Sequence, residues 1–290
     1  MITTYIANML TKPGASPVFG SPAEFGLEYE DVEFRAGDGV LLSGWLVKGG
    51  SDKVIIQTHF GIQSSRSGYT RKDKGLIKGW HEDIVFLRHV KHLVAAGYSV
   101  LMYDLRNHGN SGVGTCPWIT GGVDEYIDVI AAVDFISNHP DYRRASIGLL
   151  SICMGANSTV YGYGHQGGLQ TFENIKAIIF IQPVGYDTFL RAMGIPDCLI
   201  ERANILNLNR GGIDFHSTAL SHVKSITVPT LLMQNKNDPW TDMNYIRSFY
   251  KEMAVDKEMF WIDGPKKRLA AYDHFTHQPD KMLQWFGAWM

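Results

Sequence analysis

The sequence predicts one α/β domain built on a mostly parallel sheet with helices on both faces. Short β-rich runs alternate with helical spacing along the chain, which is the pattern of a sheet covered on both sides. The 290 residues are 45% hydrophobic and 19% charged, enough to bury a large core in a single domain of this type. The run Ile147-Gly148-Leu149-Leu150 breaks into Ser151-Ile152-Cys153-Met154-Gly155, a small-x-nucleophile-x-small turn from a strand into a helix.

The elements follow in order. Val32 to Phe34 and Leu41 to Val47, joined by Ala36-Gly37-Asp38-Gly39, read as an N-terminal hairpin. Val54 to Thr58 is a short strand ending in His59-Phe60-Gly61. Asp83 to Ala96 has helical spacing and stops at Gly97, which suits a C-cap. Ser99 to Tyr103 is a buried strand that runs into Asp104-Leu105-Arg106-Asn107-His108-Gly109-Asn110-Ser111. Asp124 to Asn138 reads as a helix, with Val123, Ile127, Ile130, Ala131 and Phe135 close to one stripe. After Ile147 to Leu150 come strands at Lys176 to Gln182, Thr230 to Gln234 and Met259 to Ile262. Gln278-Pro279-Asp280 opens a last helix, since proline suits the first turn and an acid there complements the dipole.

Between the strands at Ile181 and Thr230 lie about 45 residues, far more than an ordinary αβ connection. Tyr186, Phe189, Met193, Ile195, Leu199 and Ile205 have the spacing of two or three short helices. Residues 184–226 are therefore expected to form a small helical lid. The core is expected at 29–183 and 227–290, with 1–28 as an N-terminal extension.

Composition excludes several classes. A formal net charge of -2 and a pI near 6.6 supply no electrostatic case for nucleic acid or an anionic membrane. No apolar run approaches the roughly 20 residues of a membrane-spanning helix. Met1 to Tyr5 does not begin a basic, then apolar, leader, so a cytoplasmic location is the default expectation. Cys116, Cys153 and Cys198 are sparse and odd in number, and show neither a disulfide framework nor metal-ligand spacing. Gly162, Gly164, Gly167 and Gly168 follow a helix instead of opening one, so no phosphate cradle is expected. No cofactor and no metal are expected. The basic residues Arg66, Arg71, Lys72, Lys74 and Lys78 read as a solvated loop, with an anionic carrier as the sharper alternative. Trp80, Trp118, Tyr186, Phe189 and Trp240 are candidates for an apolar pocket or for core.

The chemistry centres on Cys153. At the start of a helix, unpaired backbone amides and the dipole favour negative charge on an attacking atom. Ser151, two residues earlier, fills a small-residue position and is the weaker candidate for nucleophile.

Taken together, His59-Phe60-Gly61, the Asp104 to Ser111 segment, the Cys153 turn, Asn237-Asp238-Pro239 and a late histidine resemble the α/β-hydrolase superfamily from Tyr29 to Met290. The order cysteine, aspartate, histidine matches the family order of nucleophile, acid and base. A cysteine at the apex is similar to dienelactone hydrolases and to the acyltransferases of polyester synthesis.

The resemblance implies an α/β-hydrolase fold and a triad of Cys153, Asp238 and His274, with His277 and Asp242 as substitutes for the base and the acid. It implies an oxyanion hole from the amide of Met154 with that of Phe60 or Gly61, and a supporting role for His59. The expected partner is a small acyl substrate, free or carrier-bound: an ester, lactone or thioester, hydrolysed or passed to another acceptor. Carbon-carbon bond hydrolysis and a non-catalytic binding scaffold are the alternatives.

Overall fold

The order in which the strands assemble places the Cys153 turn beside the His59 loop. The computed structural model describes residues 1–14, 16–71 and 82–290. Strands β1 (Tyr29–Arg35) and β2 (Leu41–Val47) form the expected antiparallel hairpin. They are followed by β3 (Lys53–Thr58), the short pair β4 (Gly68–Tyr69) and β5 (Ile84–Val85), and β6 (Ser99–Tyr103). Then come β7 (Ser146–Ile152), β8 (Ile175–Ile181), β9 (Thr230–Asn235) and β10 (Lys257–Ile262).

The eight-stranded sheet has the order β1-β2-β6-β3-β7-β8-β9-β10, antiparallel only where β2 meets its neighbours. From β3 the chain runs to β6 on one side and then to β7 on the other. Loops leaving the carboxyl ends of β3 and β7 therefore diverge, and a crevice opens between them. Thr58 pairs with Ser151 in register, so His59 and Ile152 leave the sheet side by side.

Helices cover both faces: α2 (Leu87–Ala95), α3 (Tyr126–Asn138), α4 (Met154–Gly164), α7 (Met243–Glu252), the one-turn α8 (Leu269–Tyr272) and α9 (His274–His277), and α10 (Asp280–Trp289). One core joins Leu46, Ile56, Leu101, Val133, Leu149 and Phe180. The other joins Ile55, Val100, Leu150, Ile179, Met233 and Phe286. Consecutive residues of one strand feed opposite cores, as the two-residue side-chain period requires.

Two expectations change in detail. The helix expected from Asp83 begins at Leu87, because Ile84 and Val85 pair with Tyr69 and Gly68 instead. It ends as expected, with Gly97 at φ 89°. Arg66, expected in a solvated loop, is buried: it pairs with Asp104 at 2.7 Å and lies over the Trp45 ring. Arg71 pairs with Asp83 at the surface, while Lys72, Lys74, Lys78 and Trp80 lie outside the described residues.

The long insertion folds into α5 (Tyr186–Ala192), α6 (Asp197–Asn209) and a short 3-10 turn at Ala219–Ser225. The N-terminal α1 (Ile2–Thr11) packs on α6. Ile6, Ala7 and Leu10 share a third apolar cluster with Tyr186, Phe189, Leu190, Ile200 and Phe215, and Cys153 packs against it. Arg210 fastens the seam, donating to Asn8 and Thr11 and stacking 3.8 Å over Trp118. Among the described residues no helix is long and apolar enough to cross a membrane.

Candidate active site

Cys153 stands between β7 and α4 with φ 54° and ψ -106°, a backbone region that a residue with a Cβ rarely adopts. Close packing holds it there. Its N–H donates to the Ile181 carbonyl at 2.8 Å, and two residues on, a Cβ at Gly155 would lie 2.5 Å from the Thr58 carbonyl oxygen. Only glycine lets α4 approach β3 so closely. Strain retained at one side chain facing a crevice is a feature of functional sites. Ser151, by contrast, is fully buried and its hydroxyl is bonded to that of Thr159 at 2.8 Å.

The loop after β3 forms the opposite wall. Leu105 N–H donates to Nε2 of His59, which fixes the proton on Nδ1, and Nδ1 donates to the Phe60 carbonyl at 2.6 Å. Burial, with His108 alongside, depresses the His59 pKa to about 3, so the ring is a neutral brace. Phe60 in turn stacks on Tyr272 at 4.8 Å. Gly61 is so close to Met154 that a Cβ there would lie 3.1 Å from its sulfur. As the first residue of α4, Met154 has an N–H without an intrahelical acceptor. The structure thus brings Cys153, Met154, Phe60 and Gly61 to one small pocket, of about 40 Å³, together with Leu10, Ile62, Val184, Tyr186, Phe189, Arg268 and Tyr272.

The sequence expectation fails at the base. Arg268, just before α8, points Nη2 at the Cys153 sulfur, 3.3 Å away. Its Nη1 donates to Oδ2 of Asp238 at 2.7 Å, and the two side chains are 2% and 0% exposed. Arg268 therefore fills the space between acid and sulfur that an imidazole was expected to take. Burial opposes its charge, but Tyr272, Asp238 and Cys153 together hold its pKa above the ordinary arginine value. The guanidinium lies 5.1 Å from the Phe189 ring centre and 5.7 Å from that of Tyr272, an aromatic enclosure suited to a planar cation.

The surroundings fix it further. Arg268 Nη2 also donates to the Gln182 carbonyl, and the Gln182 amide donates back to the Arg268 carbonyl, both at 3.0 Å. Gln182 itself has φ 48° and accepts from the Asn235 N–H. Asp238 accepts from Trp240 N–H at 3.0 Å and Thr241 hydroxyl at 2.5 Å. Tyr272 lines the pocket beside Cys153, and burial raises its phenol pKa well above that of a free phenol.

His274 lies elsewhere. In α9 it packs edge-on against Phe260 at 5.6 Å and lines a separate cleft with Trp261, Asp263, Asp273 and His277. Burial and then His277 lower its pKa. His277 is at the surface, paired with Asp273 at 3.2 Å. Asp242 caps α7 through the Asn244 N–H. Among the described residues no imidazole lines the Cys153 pocket. The reason is the path of the chain after β10: the segment 265–268 turns in toward β9, where the Asn235 side chain accepts from the Gly264 N–H and donates to the carbonyls of Pro265 and Lys267. That places Arg268 over the sheet end and sends α9 past it.

Sequence reasoning missed Arg268, Gln182 and Tyr272. Arg268 is one of three consecutive basic residues, and nothing in Lys266-Lys267-Arg268 marks the third as the buried one. The segment Asp104 to Ser111 does shape a turn: Asp104 accepts from Arg66 and Asn110, and Arg106 bridges Asp38 and Asp128.

No protein-family model and no curated protein matches the chain. Among solved structures, the Pyrococcus furiosus esterase Pf2001 matches with a TM-score of 0.70 and 26% identity, over 96% of this chain and 100% of that one. The α/β hydrolase GrgF from Penicillium sp. sh18 matches at 0.60 and 18%, over 89% and 96%. A dienelactone hydrolase from Anabaena variabilis matches at 0.57 and 14%, over 91% and 99%. The last two likenesses bear on the fold alone. The chain has the α/β-hydrolase fold: a mostly parallel eight-stranded sheet covered by helices, with a helical lid over the carboxyl edge.

Proposed function

We propose that this protein is an enzyme of the hydrolase class that acts on a small ester, lactone or thioester through a covalent acyl group on Cys153. The observation that carries this reading is the strained Cys153 apex opening into a largely apolar pocket with a buried cation against its sulfur. A strained nucleophile elbow at the end of a β-strand is the arrangement that exposes an attacking atom in this fold. The esterase Pf2001 among its structural relatives lends support.

In this reading the Cys153 sulfur attacks the acyl carbon, and the Met154 N–H with a backbone N–H of Phe60 or Gly61 receives the developing oxyanion. A single such donor is worth about 3 kcal/mol of barrier. Arg268 holds the anionic sulfur in place and Asp238 holds Arg268. Leu10, Ile62, Val184, Tyr186 and Phe189 favour an apolar acyl chain of modest length.

The test is acyl trapping. Incubation with p-nitrophenyl butyrate and with a short acyl thioester, followed by intact-mass measurement and peptide mapping, should add one acyl group to Cys153 and none to Cys153→Ala. Absence of both label and turnover, with the protein folded, would sink the reading.

A further inference from the structure

A group leaving a tetrahedral intermediate departs either with a proton handed to it or as a bare anion, which only acidic leaving groups do readily. In a nucleophile, imidazole and carboxylate arrangement, the imidazole hands over that proton. Here Arg268 occupies the intervening space, with Nη2 on the sulfur at 3.3 Å and Nη1 on Asp238 at 2.7 Å. A guanidinium keeps its protons at any physiological pH, so it can hold a negative charge but cannot relay a proton. The other polar side chain beside Cys153, Tyr272, is enclosed by Phe60 and by Arg268 itself. Asp238 is fully engaged, accepting from Arg268, Thr241 and Trp240. Among the described residues the pocket thus has a charge-holding device and no imidazole or free carboxylate, and burial holds the phenols of Tyr272 and Tyr186 in their protonated form.

Resting on the acyl reading above, we propose that the site accepts donors whose leaving group departs unprotonated, chiefly thioesters, and passes the acyl group from Cys153 to a thiol acceptor in preference to water. In the first half the anionic Sγ attacks the carbonyl carbon of a thioester. The carbon–Sγ bond forms, the bond to the departing sulfur breaks, and the electron pair leaves with the thiolate product. In the second half an incoming thiolate attacks the Cys153 thioester, the carbon–Sγ bond breaks, and its electron pair returns to Sγ beside Arg268. No proton is transferred within the site in either half, and no oxidant, metal or further reactant is needed. Water as acceptor, by contrast, must lose a proton as it attacks. The apolar lid of Tyr186, Phe189 and Leu10 adds to this by limiting water at the thioester.

The experiment has three arms on the full chain. Cys153 acylation is followed by mass with S-butanoyl-N-acetylcysteamine, p-nitrophenyl butyrate and ethyl butyrate. The ethyl ester is expected to react slower than the other two by about 10³-fold, the size of a general acid's contribution. Isolated butanoyl-enzyme is then divided between buffer and buffer containing N-acetylcysteamine, and the thiol is expected to take the acyl group at least about tenfold faster at millimolar concentration. Finally, Arg268→Met is expected to lose acylation by the thioester and Arg268→Lys to recover part of it. The acylation rate of the unmodified protein should be insensitive to His274→Ala and His277→Ala across pH 6 to 8, since neither imidazole lines the pocket.

Trapped butanoyl-Cys153 with ethyl butyrate close in rate to the aryl ester, or with deacylation indifferent to thiol, would overturn this proposal and leave the acyl reading standing. Folded Arg268→Met acylated at the unmodified rate would overturn it as well. No acylation by any donor would remove both. The donor series and the deacylation arm use unmodified protein, so the outcome does not depend on a variant folding.

Discussion

The carboxylate of Asp238 accepts the Nη1–H of Arg268 at 2.7 Å with both side chains shut off from solvent, and the other end of the same guanidinium meets the Cys153 sulfur. This buried ion pair ties the loop after β9 to the loop after β10. It makes the electrostatics at Cys153 a property of residues far apart in sequence.

Removing one partner of such a pair leaves an uncompensated buried charge, which costs about 3 to 5 kcal/mol. Asp238→Ala is therefore expected to lose about that much stability in chemical denaturation. The double variant Asp238→Leu/Arg268→Met is expected to be the more stable of the two, because no charge is left unpaired. A double variant as unstable as Asp238→Ala would show that packing, and not charge pairing, is the main contribution of these side chains.

His274 provides the sharpest contrast with the sequence reading. Its ring lies against Phe260 in a cleft of its own. His274→Ala is expected to keep Cys153 acylation within about twofold of the unmodified rate and to lose only the roughly 1 kcal/mol of an average substitution. A loss of acylation by a factor of a hundred, measured by mass on folded protein, would return His274 to the mechanism.

Two buried histidines contribute to the response to acid. Burial lowers His59 and His89 to about 3, and His89 donates from Nε2 to the Gln57 side chain at 2.6 Å. Both bind a proton more readily in the unfolded chain, near the ordinary value of about 6.5. Their stabilising effect is thus fully present above pH 6.5 and is lost as pH falls toward 3, at about 1.4 kcal/mol per pH unit for each. The stability difference between unmodified protein and His89→Gln, measured by urea unfolding, is expected to shift by about 2 kcal/mol between pH 7 and pH 5. A difference that does not move with pH would mean that His89 is not buried neutral.

Much of the fold was legible because its signals are local. The Leu41 to Val47 strand, the Ser99 to Tyr103 strand and the start of the last helix at Asp280 fall where composition and capping put them. The Asp83 start failed because helical spacing in Asp83 to Phe86 competed with a pairing to Gly68 and Tyr69, a contact that no local pattern announces. Cys153, Met154, Phe60, Gly61 and Asp238 were legible because each sits next to a strand end, and strand ends converge at the switch point.

The sequence by itself determined the parallel sheet, the lid and the Cys153 turn, since hydrophobic period, glycine spacing and turn chemistry act over a few residues. Only the tertiary structure decided which side chain meets the sulfur. Arg268 and His274 are six positions apart in one loop, and their difference is one of direction: Asn235 and Gln182 draw the first over the end of β9, while Phe260 holds the second outside. Both residue types suit a place beside a thiolate, so the choice rests on contacts across 30 to 115 positions of chain, which no local reading of the loop contains.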